Sequence, residues 1–261
     1  MKHRARFAPA NVKLRAGAPT GGVPLETDPL ITEPKRARER FEATHAEIRA
    51  RIVLLDYRPG TKLSEALLAE EFAMSRTPMR RVLARLEDEG LLSSKHGVGT
   101  FVTDVEPEEL GQVYRLRKEL VLLQTSLDVV PPTPALVAQM QEIVARAKTL
   151  RITPCARDFS LLDQEMFLLL LDLTRNEPLR IMSKRLYFRT TRIWLQQVAG
   201  SETALLEEID VFAREAAEIL NALEIGDLDA VGHIRRGHIS LSFARMSAER
   251  GSDPPANGDM R

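Results

Sequence analysis

The sequence predicts a mainly α-helical protein: an N-terminal winged helix-turn-helix with a small β-hairpin wing, followed by an antiparallel all-α bundle. Residues 64–102, SEALLAEEFAMSRTPMRRVLARLEDEGLLSSKHGVGTFV, place a short helix, a tight turn, an arginine-rich helix and a glycine-punctuated hairpin in immediate succession. From Pro107 onward strand signals disappear, and amphipathic helices alternate with breaks at Pro, Gly and Asn. A chain of 261 residues, 44% hydrophobic and 28% charged, can form one small and one larger folded unit. The expected division is an arm at 1–40, the winged helix at 41–104, the bundle at 105–250 and a disordered tail at 251–261.

In the winged helix, Ser64 is placed to cap the first short helix, whose apolar stripe reads Leu67, Leu68 and Phe72. Ala73-Met74 leave room only for a turn before a second cap, Ser75. The next helix starts at Arg76, tolerates Pro78 in its first turn and buries Met79, Val82, Leu83 and Leu86 before Gly90 ends it. Its other face carries Arg76, Thr77, Arg80 and Arg81, with Arg85 a turn further on. A guanidinium fork matches both a phosphate and the O6/N7 edge of guanine. The acidic residues Glu87, Asp88 and Glu89 are confined to the far end, so the end that a recognition helix points at bases carries only cations. Strands are expected at 91–95 and 100–103, joined by His96-Gly97-Val98-Gly99. Lys95 and His96 then sit at the wing tip, within reach of a phosphate or minor groove. Double-stranded DNA is the expected partner.

The run PGTKLSEALLAEEFAMSRTPMRRVLARLEDEGLLSSKHGVGTFV resembles the DNA-binding domain of the GntR family of bacterial transcription regulators. The resemblance implies DNA contacts from Arg76, Thr77 and Arg80 on the recognition helix and from His96 and Gly97 on the wing. Ala73 stands where the family usually has Gly, which implies a strained turn. Ala66 stands where some members have a DNA-contacting Arg.

Net charge is zero, from 37 basic and 37 acidic residues, so the basic character is local to the recognition helix and wing. Cys155 is the single cysteine, which excludes an internal disulfide and a thiol-rich metal site and fits a reducing cytoplasm. The longest apolar run, Met166 to Leu171, is far too short to cross a bilayer. The N-terminal segment, with Lys2, Arg4, Arg6, Lys13 and Arg15 among Pro, Gly and Ala, has no signal-peptide core and reads as a weakly basic arm.

Bundle helices are expected at 107–127, 133–150, 155–173, 177–198, 202–223 and 227–245. Polar residues on their apolar faces are informative, because burying them unpaired costs a few kcal/mol. Arg117 interrupts the stripe Val113, Leu116, Leu120, Leu123, Leu127; Asp163 lies among Phe159, Leu162, Met166, Phe167 and Leu170; His238 shares a face with Ile234 and Leu241. By spacing alone these residues fit equally an anion-binding cavity and a structural ion-pair network.

The stretches VYRLRKEL, LLDQEMFLLLLDLTRNEPL and EILNALEIGDLDAVGHIRRGHIS are similar to the all-helical effector domain of the FadR subgroup of GntR regulators. Many members of that subgroup hold a divalent metal through an Asp, a His one turn later and a His on each of the last two helices, with a small carboxylate effector nearby. The resemblance puts Asp163 and His238 in two of those places, but Phe167 and Ala216 fill the others. No cofactor or tightly held metal is therefore expected, although weak divalent binding is compatible with what remains. The expected effector site is Arg117, Asp163, Phe167 and His238, taking an anionic organic or acyl compound, while Arg189 and Arg192 read as solvated helix charges, with further effector contacts as the alternative. The resemblance also implies a homodimer and, most often in the family, repression. The alternative is a ligand-independent DNA-binding protein whose bundle only dimerises. An enzyme is not expected, since there is no Gly-rich phosphate loop, nucleophile motif or paired-carboxylate metal motif.

Overall fold

The computed structural model describes residues 29–105 and 107–252. Lys2, Arg4, Arg6, Lys13 and Arg15 of the expected arm and most of the expected tail lie outside them. Helix α1 (Pro29–Val53) begins within the segment expected to be an arm. It is followed by β1 (Lys62–Leu63), α2 (Glu65–Glu71), α3 (Arg76–Asp88), β2 (Leu92–Lys95) and β3 (Gly99–Val102). The three strands form an antiparallel sheet in the order β1-β3-β2, with Leu92 opposite Val102 and Lys95 opposite Gly99. The hairpin is the expected wing, whereas β1 was not expected, because two residues are too few to show a strand period.

The winged-helix core joins Ile48 and Ile52 of α1 to Leu68, to Met79, Val82, Leu83 and Leu86 of α3, and to Leu91, Leu92 and Val102 of the sheet. Burying each such side chain contributes about 1.5–3 kcal/mol. Ser64 caps α2 by accepting from the Leu67 amide at 3.4 Å, while Ser75 makes no side-chain cap bond to α3. Leu67 is exposed, so the buried face of α2 turns on Leu68 and Ala69.

Ala73 adopts φ 47°, in the left-handed region that glycine occupies without penalty. Ala73→Gly is therefore expected to stabilise the chain by about 1 kcal/mol, less the entropy glycine adds to the unfolded state. Urea denaturation checks this, and a destabilised variant would show that the turn carries no strain.

The bundle consists of α4 (Pro107–Gln124), α5 (Pro134–Leu150), α6 (Ala156–Leu171), α7 (Glu177–Val198), α8 (Glu202–Glu224) and α9 (Leu228–Ser252). Its largest core cluster is drawn from α5, α6, α8 and the start of α9, around Met140, Ile143, Phe159, Leu162, Met166, Ile209, Phe212 and Ile219. Helix α4 ends earlier than expected because Thr125 and Ser126 turn their hydroxyls back onto the Leu122 carbonyl, at 3.1 and 2.9 Å, competing with the helical backbone. Two faces are also rotated from the expectation. On α4, Leu116 and Leu123 are exposed, as is Leu127 beyond its end, while Leu110, Tyr114 and Val121 are buried. On α9, Leu241 is exposed, and the inner face runs through Val231, Arg235, Ile239 and Met246.

Candidate nucleic-acid interface and effector pocket

Arg76, Thr77, Arg80 and Arg81 are all exposed on α3, opposite its buried stripe. Their environments differ. Arg76 has no ion-pair partner among the described residues. Arg80 is held by Glu65 of α2, with Nε and Nη2 each donating at 3.0 Å, and this partner raises the guanidinium above its ordinary pKa. Arg81 lies over the Phe41 ring of α1 at 5.7 Å, and Arg85 donates to both Glu42 oxygens at 2.9 and 3.0 Å. The first half of α3 thus offers its cations outward, and the later arginines lean on α1.

In the wing, Lys95 ends β2 with Nζ 5.7 Å from the Phe101 ring centroid, and His96 and Gly97 form the exposed tip. Gly97 takes φ 70°, which a side chain would strain. Val98 is also exposed at the tip, an apolar group that the turn pattern did not single out.

In the bundle, Arg117, Asp163 and His238 line one pocket, as expected, with Tyr114, Phe159, Trp194 and Phe212 among its walls. Its cavity volume is small, about 40 Å³. Phe167 does not line this pocket. It lines a more apolar neighbour with Leu120, Val121 and Leu170, and Arg117, Arg235 and Ile239 border both. Phe167 stacks on Tyr187 with centroids 3.9 Å apart and planes within 3°.

The pocket floor is an ion cluster. Arg235 Nη1 donates to Glu215 Oε1 at 2.9 Å and Nη2 to Asp163 Oδ1 at 3.1 Å, with the Arg235 side chain only 5% exposed. The Tyr187 hydroxyl donates to Asp163 Oδ2 at 2.7 Å. His238 Nδ1 lies 2.9 Å from Glu215 Oε2, close but outside hydrogen-bond geometry. Burial alone would raise the Asp163 carboxyl. Arg235, the Tyr187 hydroxyl and His238 outweigh it and hold Asp163 below the ordinary carboxylate range. Burial and Asp163 together push Tyr187 well above an ordinary phenol.

Arg117, by contrast, has no carboxylate partner among the described residues. Its Nη1 donates to Thr190 Oγ1 at 2.8 Å, and its guanidinium lies 5.1 and 5.5 Å from the rings of Tyr114 and Tyr187. Glu215, Arg235 and Tyr187 were missed in the sequence. Glu215 lies three residues after Phe212 and four before Ile219, and Arg235 sits between Val231 and Ile239 at helical spacing, so both signals were present.

Residues 41–102 match the model of the bacterial regulatory proteins of the gntR family, and residues 112–241 match the FCD domain. The chain belongs to the GntR family, with an FCD domain behind the helix-turn-helix. It is a DNA-binding transcription regulator and not an enzyme. It is 28% identical over 201 residues to the Nta operon transcriptional regulator of Aminobacter aminovorans, covering 73% of this chain and 94% of that protein. It is 34% identical over 104 residues, 39% of this chain and 43% of the relative, to an HTH-type transcriptional regulator in an unstable DNA locus of Streptomyces ambofaciens. Among solved structures it is similar to E. coli McbR/YncC, with a TM-score of 0.69 at 22% identity, covering 81% of this chain and 98% of that one; this likeness shows a shared fold.

The divalent metal held by many FCD domains does not fit the residues of this GntR protein. Phe167 and Ala216 carry no donor atom, and both Asp163 oxygens are engaged, one by Arg235 and one by Tyr187. No set of three or more His, Cys, Asp or Glu side chains among the described residues is arranged to hold a metal ion.

Where the two halves meet, the reading of Arg189 and Arg192 as solvated charges is corrected. Arg192 is 1% exposed, and its Nη2 donates to Thr103 Oγ1 at 2.7 Å. The same hydroxyl donates to the Gly90 carbonyl at 2.7 Å, at the end of the recognition helix. Burial lowers Arg192 to about 10, against the pull of Asp104 and with the help of Arg189. Arg189 pairs with Glu109 and lies so close to Gly90 that a Cβ there would meet its Nε at 3.2 Å. Both arginines lie on a helix whose buried face also serves the bundle core, which is why spacing did not mark them.

Proposed function

We propose that this GntR protein is a cytoplasmic, homodimeric repressor that occupies an operator and is released by a small anionic organic or acyl effector in the FCD pocket. The observation that carries the effector reading is Arg117, a pocket-lining guanidinium with no carboxylate partner among the described residues, set against aromatic walls. Such a group recognises a carboxylate, while the aromatic and apolar lining takes the rest of the molecule. His238 and Asp163 border the same space, and Phe167 shapes the adjoining lobe. The DNA contacts are assigned to Arg76, Thr77, Arg80 and Arg81 on α3 and to Lys95, His96 and Gly97 on the wing. Their common exposure and the cationic start of α3 support this. Dimerisation is supported by exposed apolar side chains on the packed pair α4 and α7, Leu116 and Leu123 on one and Ile181 and Met182 on the other.

An effector acts only by binding the DNA-competent and DNA-incompetent states unequally. Arg117 bonds to Thr190 on α7, and two residues further on Arg192 bonds to Thr103, which supports α7 as the element that carries the difference. The test is selection of the operator from random DNA followed by a thermal-shift screen of organic and acyl acids. A compound that stabilises the chain, lowers operator affinity and loses both effects in Arg117→Met is the expected result. If no acid acts at millimolar concentration, the ligand-independent reading stands in its place. That reading draws its support from the pairing of Arg235 with both Asp163 and Glu215, which leaves the floor of the pocket already compensated.

A further inference from the structure

Two carboxylates from different helices, Asp163 on α6 and Glu215 on α8, face one another across the guanidinium of Arg235 on α9, and His238 of the same helix stands beside Glu215. The Glu215 and Arg235 side chains are 3% and 5% exposed. Buried carboxylates in such a place need a cation, because uncompensated charge in a protein interior is costly. Here the cation is covalently part of the chain, a planar fork with one nitrogen on each acid.

We infer that Arg235 is a resident cation standing where a divalent ion would otherwise be held, and that removing its side chain turns Asp163, Glu215 and His238 into a divalent-metal site. The donor set, two carboxylates and one imidazole from three separate helices, suits Mn²⁺ or Zn²⁺. The donors are spread by the width of the guanidinium, and side-chain rotation into the vacated space would draw them onto a smaller ion. In the unaltered chain the two carboxylates are instead held by the single charge of Arg235 between them. This arrangement makes the pocket independent of metal supply, whatever effector it takes.

The test uses the full chain stripped with a chelator and titrated with MnCl₂ or ZnCl₂, read by unfolding temperature and by elemental analysis after desalting. The unaltered protein is expected to shift by no more than about a degree and to retain far less than one ion per chain. Arg235→Ala is expected to unfold at lower temperature and to recover by about 5 °C or more once metal is in hundredfold excess over its dissociation constant. Adding Asp163→Asn should abolish that recovery. Arg235→Gln, which keeps an amide donor between the acids, provides the same comparison at smaller cost if the alanine variant is insoluble. Stoichiometric, Asp163-dependent metal in the unaltered chain overturns the inference, as does a rescue that survives Asp163→Asn. Failure of metal to stabilise either Arg235 variant, including failure of both to fold with metal present, also overturns it.

Discussion

Replacing Glu215 with alanine is expected to destabilise this GntR protein by about 3–5 kcal/mol, the usual consequence of removing one partner from a buried ion pair. The loss exceeds the worth of the contact itself, because Arg235 stays in the interior with only Asp163 to compensate it and His238 loses its neighbouring acid. Glu215→Gln keeps an acceptor for Arg235 and should cost less. Combining Glu215→Leu and Arg235→Met with Asp163→Asn, so that no buried charge is left without its partner, should recover much of the loss, since well-packed neutral groups can replace a buried ion cluster at little cost. Urea denaturation of the four proteins measures each step. A loss under about 1 kcal/mol for Glu215→Ala would mean that the cluster is hydrated, in the manner of a surface pair.

Arg76→Ala is expected to weaken operator binding by about 1–3 kcal/mol, on the order of 5- to 150-fold, if its fork is bidentate to guanine. Arg80→Ala should cost less. Arg80 leaves its pair with Glu65 to reach a base, so part of the energy of the DNA contact replaces an interaction already present. Fluorescence anisotropy with the selected operator, at one fixed salt concentration, gives both values. Unchanged affinity for both variants would remove α3 as the reading face.

The helix-turn-helix was legible because its constraints are local. A cap, a two-residue turn, a four-residue buried stripe and a glycine stop all fall within reach of one another in the chain, as Ser64, Ala73, Met79 to Leu86 and Gly90 show. The strand β1 was not legible, since Lys62-Leu63 becomes a strand only by pairing with Phe101 and Thr100, far along the sequence. In the bundle, helix positions followed from Pro, Gly and Asn breaks, but the inward faces did not. Long helices packed on several neighbours carry wide apolar arcs, so Leu116, Leu123 and Leu241 counted as core by spacing yet face solvent. The pocket was read in part for the same reason. Arg117, Asp163 and His238 stand out as polar residues on apolar stripes; Arg235 and Glu215 do not, because they sit beside other charges, Arg236 and Arg214, in segments that read as solvated.

The Thr103 hydroxyl bonds to both halves at once, donating to Gly90 and accepting from Arg192. Its own amide donates to the Leu91 carbonyl, and Val105, two residues on, is buried. Thr103 and Val105 are therefore tied down by these bonds and by burial, unlike residues of a free tether. Grafting this DNA-reading half onto another FCD domain would leave Arg192 without its hydroxyl or the hydroxyl without its arginine, so operator and effector specificity in this protein can be exchanged only together with residues 103–105 and the α7 face that grips them.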